Sequence, residues 1–407
     1  MANPNQPAAG KKQLPALTGV RFFLAMWVIL YHQIPHEDTG LAVSWLGDLP
    51  LPLHLILRCG YAAVTVFFVL SGFVLAYNYD LGAPWDSRTK ARFWAARFAR
   101  IYPAYAAGLL LMAPFVFYRV IFLRPVPSAA GEAAAAFLNF TLLQAWDPHT
   151  ALTWNYPGWS LSDESFFYIS FPFIGIWLWR IQRPRVLLAV ATLLWILSMT
   201  PPWVVMALSI EGFGNVPAST FAIPDSAAFA ANLIRYNPLL RLSEFAAGIL
   251  MARLFLHLQA NAHFLNGRGY WLYGPGLAVT AIVLGHADQV PYALAHNGLL
   301  LPPYACLILG FALDGGWPAR CCSWRPMVFL GNASYSMYIL HVPIQMWLVT
   351  VLRREFSLDP HGRGWVIGYA IAIVTISSLF FRHLEEPAHR WLRDILRKRI
   401  ERRVQQS

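Results

Sequence analysis

Apolar residues cluster into long runs along the whole chain, and short polar stretches separate each run from the next. A helical run of about 18 residues or more can cross the roughly 30 Å hydrocarbon core of a bilayer. We therefore predict an all-α fold, a polytopic bundle of about ten transmembrane helices. The predicted spans are residues 16–35, 55–78, 101–123, 159–179, 186–206, 236–256, 270–286, 298–313, 328–351 and 364–384.

The segments outside these spans divide the chain into three parts. Residues 1–13 form a flexible N-terminal segment, 14–387 the membrane domain and 388–407 a basic tail. The tail has the pattern of an amphipathic helix that lies on an anionic leaflet. Inside the membrane domain, residues 132–146 are too short and too rich in alanine for a span, so we predict a partly embedded or interfacial helix on the non-cytoplasmic side.

Composition supports the membrane interpretation. Hydrophobic residues make up 57% of the 407 residues and charged residues only 13%, and the mean hydropathy is +0.46. Soluble domains carry about 25% charged residues. The formal net charge of +11 could suggest nucleic acid, but the sequence has no long polar segment that would present a basic surface. We therefore expect the lipid bilayer, and not nucleic acid, as a partner.

Lysine and arginine are unevenly distributed between alternate loops, which indicates orientation by the positive-inside rule. One side carries most of the basic residues and both termini, so we predict a multi-pass plasma-membrane protein with both termini in the cytoplasm. That side receives Lys11, Lys12, Arg88, Lys90, Arg92, Arg97, Arg100, Arg180, Arg183, Arg185, Arg253, Arg268, Arg320, Arg325 and the tail from Arg390 to Arg403. The other receives chiefly Arg119, Arg124, Arg235, Arg353, Arg354 and Arg363.

Ionisable residues inside predicted spans are the main functional candidates, because burying them in a bilayer is costly. The first span contains Arg21 and His32. Their spacing in an α-helix places them within about 20° of one face and roughly 16 Å apart along the axis. Arginine near the cytoplasmic end could hold a phosphate while the imidazole deeper in serves as a general base. A snorkelling arginine and a histidine that only packs are the structural alternative.

Two arginines one turn apart begin the third span. Arg97 and Arg100 can direct two guanidinium groups at one anion, the geometry of phosphate recognition. Arginines at cytoplasmic helix ends also commonly fix topology, which is the alternative. The four cysteines have neither metal-ligand nor disulfide spacing, and we expect no metal site.

Other polar positions fall on single helix faces. Glu164 and Tyr168 are one turn apart in the fourth span. In the ninth span, Ser334, Tyr338 and His341 form a polar stripe that should face the bundle interior or a water-filled cavity. His341 is either a second acid/base or a member of a hydrogen-bonded network. Further candidates are an internal ion pair of Arg241 with Glu244, close packing at Gly248, and Glu385 at the end of the tenth span.

These motifs, taken in order, resemble the acyltransferase-3 family of membrane-bound O-acyltransferases. The resemblance runs from about Leu14 to Trp391. It rests on LPALTGVRFFLAMWVILYH, FFVLSGFVL, the arginines before IYPAY, GWSLSDESFFY, RLSEFAAG, LGNASYSMYILH and the final LEEP. The match to the form without an SGNH esterase-like domain implies direct use of an acceptor or a separate partner protein.

The resemblance implies transfer of an acyl group, typically acetyl, from cytoplasmic acetyl-CoA or another acyl-CoA to a hydroxyl. Acceptors in the family include surface sugars, peptidoglycan, glycolipids and macrolides. By position, His32 corresponds to the catalytic histidine, Arg21 to its arginine partner and Glu385 to a late glutamate. Arg97 and Arg100 correspond to the pair associated with donor handling.

The mechanism we predict combines both lines of reasoning. Arg97 and Arg100, with Lys90 and Arg92, hold the donor phosphates, and the pantetheine arm passes Arg21 toward the histidine. His32 then acts as general base, or forms a transient acyl-histidine, with Glu385 as an orienting partner. Glu164, Tyr168, Tyr338 and His341 line the acceptor cavity. A transporter or lipid flippase without chemistry, or an assembly scaffold, is the alternative function.

Overall fold

The computed structural model describes residues 13–34, 49–122, 129–208, 210, 216–219, 228–261, 263–358, 360 and 362–406. Within these ranges all regular elements are helical, apart from an isolated antiparallel bridge between Pro217 and Pro291. The all-α prediction is therefore confirmed. The predicted N-terminal segment, Lys11, Lys12 and Arg124 lie outside the described residues, except for Gln13.

Sixteen α-helices follow one another along the described chain. They are α1 (Pro15–Tyr31), α2 (Leu51–Arg58), α3 (Ala62–Asn78), α4 (Ser87–Phe122), α5 (Ala129–Phe140), α6 (Trp159–Trp179), α7 (Pro184–Ala207), α8 (Ala228–Tyr236), α9 (Pro238–Asn261), α10 (Tyr270–Gly285), α11 (Tyr292–His296), α12 (Leu301–Leu313), α13 (Gly316–Ser323), α14 (Arg325–Phe356), α15 (Gly362–Phe380) and α16 (Glu386–Gln406). A π-helical segment, Phe381–Glu385, joins α15 to α16.

Each predicted span overlaps one or two helices among the described residues. Helix α6 begins and ends at the predicted residues, 159 and 179. Helix α4 begins at Ser87, well before the predicted 101, because its basic first half is rich in alanine, arginine and lysine, which are strong helix formers. The span predicted at 55–78 is divided into α2 and α3, which bend by 56° relative to each other. The short helix predicted at 132–146 corresponds to α5.

Several helices have the length and composition of membrane spans. Four do so alone, Ser87–Phe122, Pro184–Ala207, Arg325–Phe356 and the continuous Gly362–Arg402, and two bent pairs raise the number to as many as six among the described residues. Large apolar side chains on these and neighbouring helices, such as Leu110, Trp177 and Ile371, are 63% exposed, as expected for side chains that face lipid. The protein is thus a membrane protein, while the count of ten spans and the orientation stay predictions.

Glycines bring the central helices into close contact. A Cβ atom at Gly72 in α3 would lie 2.0 Å from the Phe245 carbonyl oxygen of α9, and one at Gly248 in α9 would lie 2.0 Å from the Val69 oxygen. Both positions require the absence of a side chain for the two backbones to approach. The predicted close packing at Gly248 is therefore confirmed, and it fixes α3 beside the cavity described below.

The predicted internal ion pair is also present, in α9. Arg241 and Glu244 are 3.0 Å apart, and their side chains are 0% and 1% exposed. Arg241 also donates hydrogen bonds to the Thr65 hydroxyl and the His296 carbonyl oxygen. Since a buried charge is stable only when it is paired and hydrogen-bonded, this network ties α9 to α3 and α11.

Candidate active site

A large cavity opens among the first turn of α1, the end of α3, the first half of α4 and the start of α16. Its volume is about 650 Å³. Its wall is rich in arginine side chains, which belong to three different helices: Arg21, Arg97, Arg100, Arg390 and Arg393. Such a concentration of positive charge in a concave site favours an anionic ligand.

A smaller cavity of about 130 Å³ continues from it toward the middle of the bundle. The two cavities adjoin, because both are lined by Arg21, Val74, Leu75, Arg97 and Arg100. The inner cavity is further lined by Ser71, Ser160, Glu164, Tyr168, Ser334, Tyr335 and Tyr338, together with apolar residues of α3. The structure therefore brings six of the predicted site residues, from α1, α4, α6 and α14, around one space.

Arg100 is held by a buried carboxylate. Its guanidinium forms a short ion pair with Glu385, whose side chain is fully buried, and the Ser336 hydroxyl donates to the other oxygen of the same carboxylate. Glu385 is the last residue of the π-helical segment, so this segment places the carboxylate against α4 and α14. The predicted pairing of Glu385 with His32 is not among its described hydrogen bonds, which instead connect Glu385 to Arg100 and Ser336.

Arg97 lies differently from Arg100. Its guanidinium carbon is 5.7 Å from the ring centroid of Tyr79 and 6.0 Å from that of Tyr168, within the range of cation–π attraction. Its Nε atom is buried and has no hydrogen-bond partner among the described residues. Arg97 lines both cavities, and the described protein leaves its Nε–H donor unused.

Glu164 forms a small network with its neighbours in the lining of the inner cavity. The Tyr168 hydroxyl donates a short hydrogen bond to Glu164 Oε1, and the Ser71 hydroxyl donates to the same atom at 3.1 Å. The predicted pairing of Glu164 with Tyr168 on one face of α6 is therefore present. This network presents carboxylate and hydroxyl groups to the middle of the inner cavity.

Two residues that were predicted to bind the acyl donor lie away from the two cavities. Lys90 Nζ is 4.8 Å from the ring centroid of Phe173, and Arg92 forms an ion pair of 2.8 Å with Glu401 of α16. Neither side chain lines the two cavities. Their role in donor binding stays a prediction, and the structure gives Arg92 a role in holding α16 against α4.

The two histidines predicted from different spans form a pair. The rings of His32, at the C-terminal end of α1, and His341 of α14 are stacked with centroids 5.0 Å apart and an interplanar angle of 25°. His341 Nε2 lies 3.0 Å from His32 Nδ1, and His341 Nδ1 lies 2.6 Å from the Tyr338 carbonyl oxygen. His341 is 0% exposed.

Tyr338 stands between the histidine pair and the inner cavity. It lines that cavity, its hydroxyl is 2.8 Å from the Ser160 hydroxyl, and its ring centroid is 6.1 Å from that of His341. Tyr156 contacts His32 from the far side, with ring centroids 5.1 Å apart. The pair thus packs among aromatic rings behind Tyr338, and neither His32 nor His341, which was predicted to line the acceptor cavity, lines either of the two cavities.

Comparison with known proteins identifies the family. The family model described as "Acyltransferase domain" matches residues 14–382. The chain belongs to the acyltransferase-3 family. The prediction from the sequence motifs is therefore confirmed, and with it the assignment of the protein as an acyltransferase.

Known members of the family match nearly all of this chain, but it spans different shares of their own length. The protein is 29% identical to acyltransferase MdmB of Streptomyces mycarofaciens over 395 residues, 93% of this chain and 92% of that protein. It is 24% identical to peptidoglycan O-acetyltransferase OatA of Listeria monocytogenes and 25% identical to the putative peptidoglycan O-acetyltransferase YrhL of Bacillus subtilis. The chain spans only 56% and 55% of the lengths of these two. No solved structure matches.

In this acyltransferase, sequence reasoning missed the contribution of α16 to the cavity. Arg390 and Arg393 were assigned to a tail on the leaflet, whereas α16 packs against α4 and directs both residues to the large cavity. Ser336 was also missed, although it lies two residues from Ser334 in the recognised motif. The side of α16 that faces the cavity depends on the π-helical segment before it, because the extra residue of a π turn shifts which positions share a helix face. Such a segment leaves no simple signal in the sequence.

Proposed function

We propose that the protein transfers an acyl group, in particular acetyl, from cytoplasmic acyl-CoA to a hydroxyl of a carbohydrate or other envelope or secondary-metabolite acceptor. One observation carries this proposal: a cavity with an arginine-rich mouth leads inward to Tyr338, beyond which lies the His32–His341 pair. An anionic donor would bind at the mouth, and its reactive end would extend toward a base.

The donor end of the cavity suits the phosphates of acyl-CoA. Arg97 offers unused donor capacity, while Glu385 holds Arg100 in a fixed orientation, and Arg393 adds a third guanidinium from α16. Guanidinium groups bind phosphate through paired, charge-assisted hydrogen bonds. Arg21 lines both cavities and is separated from His32 by roughly 16 Å along α1. An extended pantetheine arm has a length of this order.

The chemistry we propose starts with His32 as general base. His32 removes the proton of the acceptor hydroxyl, whose oxygen attacks the thioester carbonyl carbon. The new C–O bond forms, the C–S bond breaks, and the proton is returned to the sulfur that leaves as CoA thiol. Transfer through an acyl-histidine uses the same residue as nucleophile and conserves the same atoms.

The acceptor is a hydroxyl compound, and the relatives named peptidoglycan O-acetyltransferases support a carbohydrate. Glycolipids and macrolides remain candidates from the family resemblance. His32 ends α1 at the side opposite the arginine-lined mouth, which favours entry of the acceptor from the side opposite the donor. With the mouth in the cytoplasm, as the distribution of basic residues favours, the histidine pair would lie toward the outer leaflet.

The test uses the purified full-length protein in lipid nanodiscs with acetyl-CoA labelled in its acetyl group. Candidate acceptors are peptidoglycan fragments, glycolipid sugars and a macrolide, and labelled products are identified by mass spectrometry. We expect labelled ester in at least one product and a loss of about 10²–10⁴-fold in rate for His32→Ala. Full activity of His32→Ala would refute the proposal that His32 is the general base. Vesicle uptake of unmodified acceptor, without any labelled ester, would favour the transporter.

A further inference from the structure

The hydrogen bonds of His341 determine where its proton lies. A carbonyl oxygen can only accept, so the 2.6 Å contact from His341 Nδ1 to the Tyr338 oxygen requires an N–H on Nδ1. A neutral imidazole carries a single N–H, and full burial disfavours the charged ring. Nε2 of His341 is therefore an acceptor.

The hydrogen-bond-accepting nitrogen of His341 in turn determines which ring nitrogen of His32 carries the proton. His341 Nε2 and His32 Nδ1 are 3.0 Å apart, so His32 must supply the hydrogen of this bond from Nδ1. A neutral His32 with its proton on Nδ1 has its basic lone pair on Nε2. The two rings thus form a chain in which each Nδ1 donates, first to an imidazole and then to a carbonyl oxygen.

The backbone around His341 holds this chain in place. Pro343 has no N–H to offer the Ile339 carbonyl oxygen, and the Asn155 side chain donates to that oxygen instead, at 2.8 Å. The Tyr369 hydroxyl donates to the His341 carbonyl oxygen at 2.6 Å. α14 is therefore tied at this turn both to the loop before α6 and to α15, which holds the backbone that carries His341.

We infer that His341 is a positioning residue, which selects the His32 tautomer with Nδ1 protonated and so presents Nε2 as the base of acyl transfer. The inference rests on the function proposed above. When His32 Nε2 accepts the proton of the acceptor hydroxyl, the ring becomes cationic, and its Nδ1–H bond to His341 strengthens. When the CoA thiolate takes that proton, the ring returns to the same neutral tautomer. His341 itself neither gains nor loses a proton during the reaction.

The test compares two substitutions of His341, of which only one keeps a hydrogen-bond acceptor for His32 Nδ1. His341→Gln places an amide oxygen where it can accept from His32 Nδ1, whereas His341→Leu removes the acceptor. We expect His341→Leu to lower kcat by about 10²–10⁴-fold with little change in KM for acetyl-CoA, because the arginine-lined mouth is untouched. His341→Gln should recover at least about tenfold of that loss.

His296→Leu is the matched control. His296 is another buried histidine, in α11, whose ring packs on Tyr61 with centroids 5.0 Å apart. Its loss should lower thermal stability while kcat per folded molecule stays near that of the parent. Nitrogen-15 NMR of labelled His32 supplies a direct readout, since it distinguishes the protonated from the unprotonated ring nitrogen. We expect one tautomer in the parent and in His341→Gln, and a mixture in His341→Leu.

The outcomes separate this inference from the proposed function. If His32→Ala is inactive while His341→Leu keeps its kcat and the parent tautomer, His341 is not a positioning residue, but the proposal that His32 is the general base is kept. Equal loss in His341→Gln and His341→Leu, with parent-like tautomers in both, would show a packing role only. If His32→Ala is fully active, the proposed base itself fails, whatever the His341 variants do.

Discussion

Substitution of Glu385 by glutamine tests which end of the cavity this carboxylate serves. In the structure it accepts from Arg100 and Ser336, and its own side chain is 0% exposed while that of Arg100 is 21% exposed. Breaking a buried ion pair by removing one partner costs about 3–5 kcal/mol of unfolding free energy. Glutamine keeps the shape and one carbonyl oxygen, so we expect Glu385→Gln to cost about 1.5–3 kcal/mol, the value of a hydrogen bond to a charged group.

The kinetic consequence distinguishes the two roles of Glu385. If it only holds Arg100, Glu385→Gln should raise KM for acetyl-CoA about tenfold and leave kcat at saturating donor nearly unchanged. If it orients His32, as the mechanism predicted from the sequence requires, kcat should fall by about 10²–10⁴-fold with KM unchanged. Thermal denaturation in detergent measures the loss of stability, and initial rates over a range of donor concentration give kcat and KM.

Ser336→Ala is the control for this experiment. It removes one neutral donor and leaves the ion pair with Arg100, so we expect a loss of only about 1 kcal/mol and a smaller rise in donor KM. A collapse of kcat in Glu385→Gln with an unchanged denaturation midpoint and unchanged KM would refute the assignment of Glu385 to the donor end.

Three further predictions concern the donor site and the topology. Arg97→Ala should weaken CoA binding by about tenfold or more in calorimetric titration, and Arg97→Lys should restore it only in part because a point charge lacks the bidentate fork. Arg393→Gln should weaken CoA binding several-fold, whereas Arg399→Gln, on the exposed side of the same helix, should not; equal effects would mean that α16 acts only through bulk charge. A single cysteine at exposed Ser87 should react only with reagents that reach the cytoplasm, and labelling of intact cells by an impermeant reagent would reverse the orientation.

Local sequence patterns predicted many of the helices at the correct residues. The apolar run and the motif GWSLSDESFFY located α6, and i, i+4 spacing placed Glu164 beside Tyr168. The first apolar run placed Arg21 inside a helix and His32 near its end, and in the structure His32 is the C-cap of α1. These features depend on a single helix, whose periodicity is fixed by backbone geometry, so the sequence determines them without knowledge of the neighbouring helices.

Pairings between distant helices could not be obtained in this way. His32 and His341 are 309 positions apart, and Arg100 and Glu385 are 285 apart. A helix-face argument shows that each residue faces the interior, but several polar groups there compete as partners, and packing selects among them. Glu385 was accordingly expected beside His32, whereas the described hydrogen bonds connect it with Arg100 and Ser336.

The π-helical segment Phe381–Glu385 determines where the chain can lose a residue without turning α16. A π turn contains one residue more than an α turn, so deletion of one residue within it would let the helix continue in regular α geometry with the later side chains facing as before. The same deletion in the first turn of α16 would instead rotate all later side chains by about 100° around the helix axis. Arg390 and Arg393 would then leave the cavity wall. During divergence, single-codon deletions should therefore be tolerated better within the π-helical segment than in the turn that follows it.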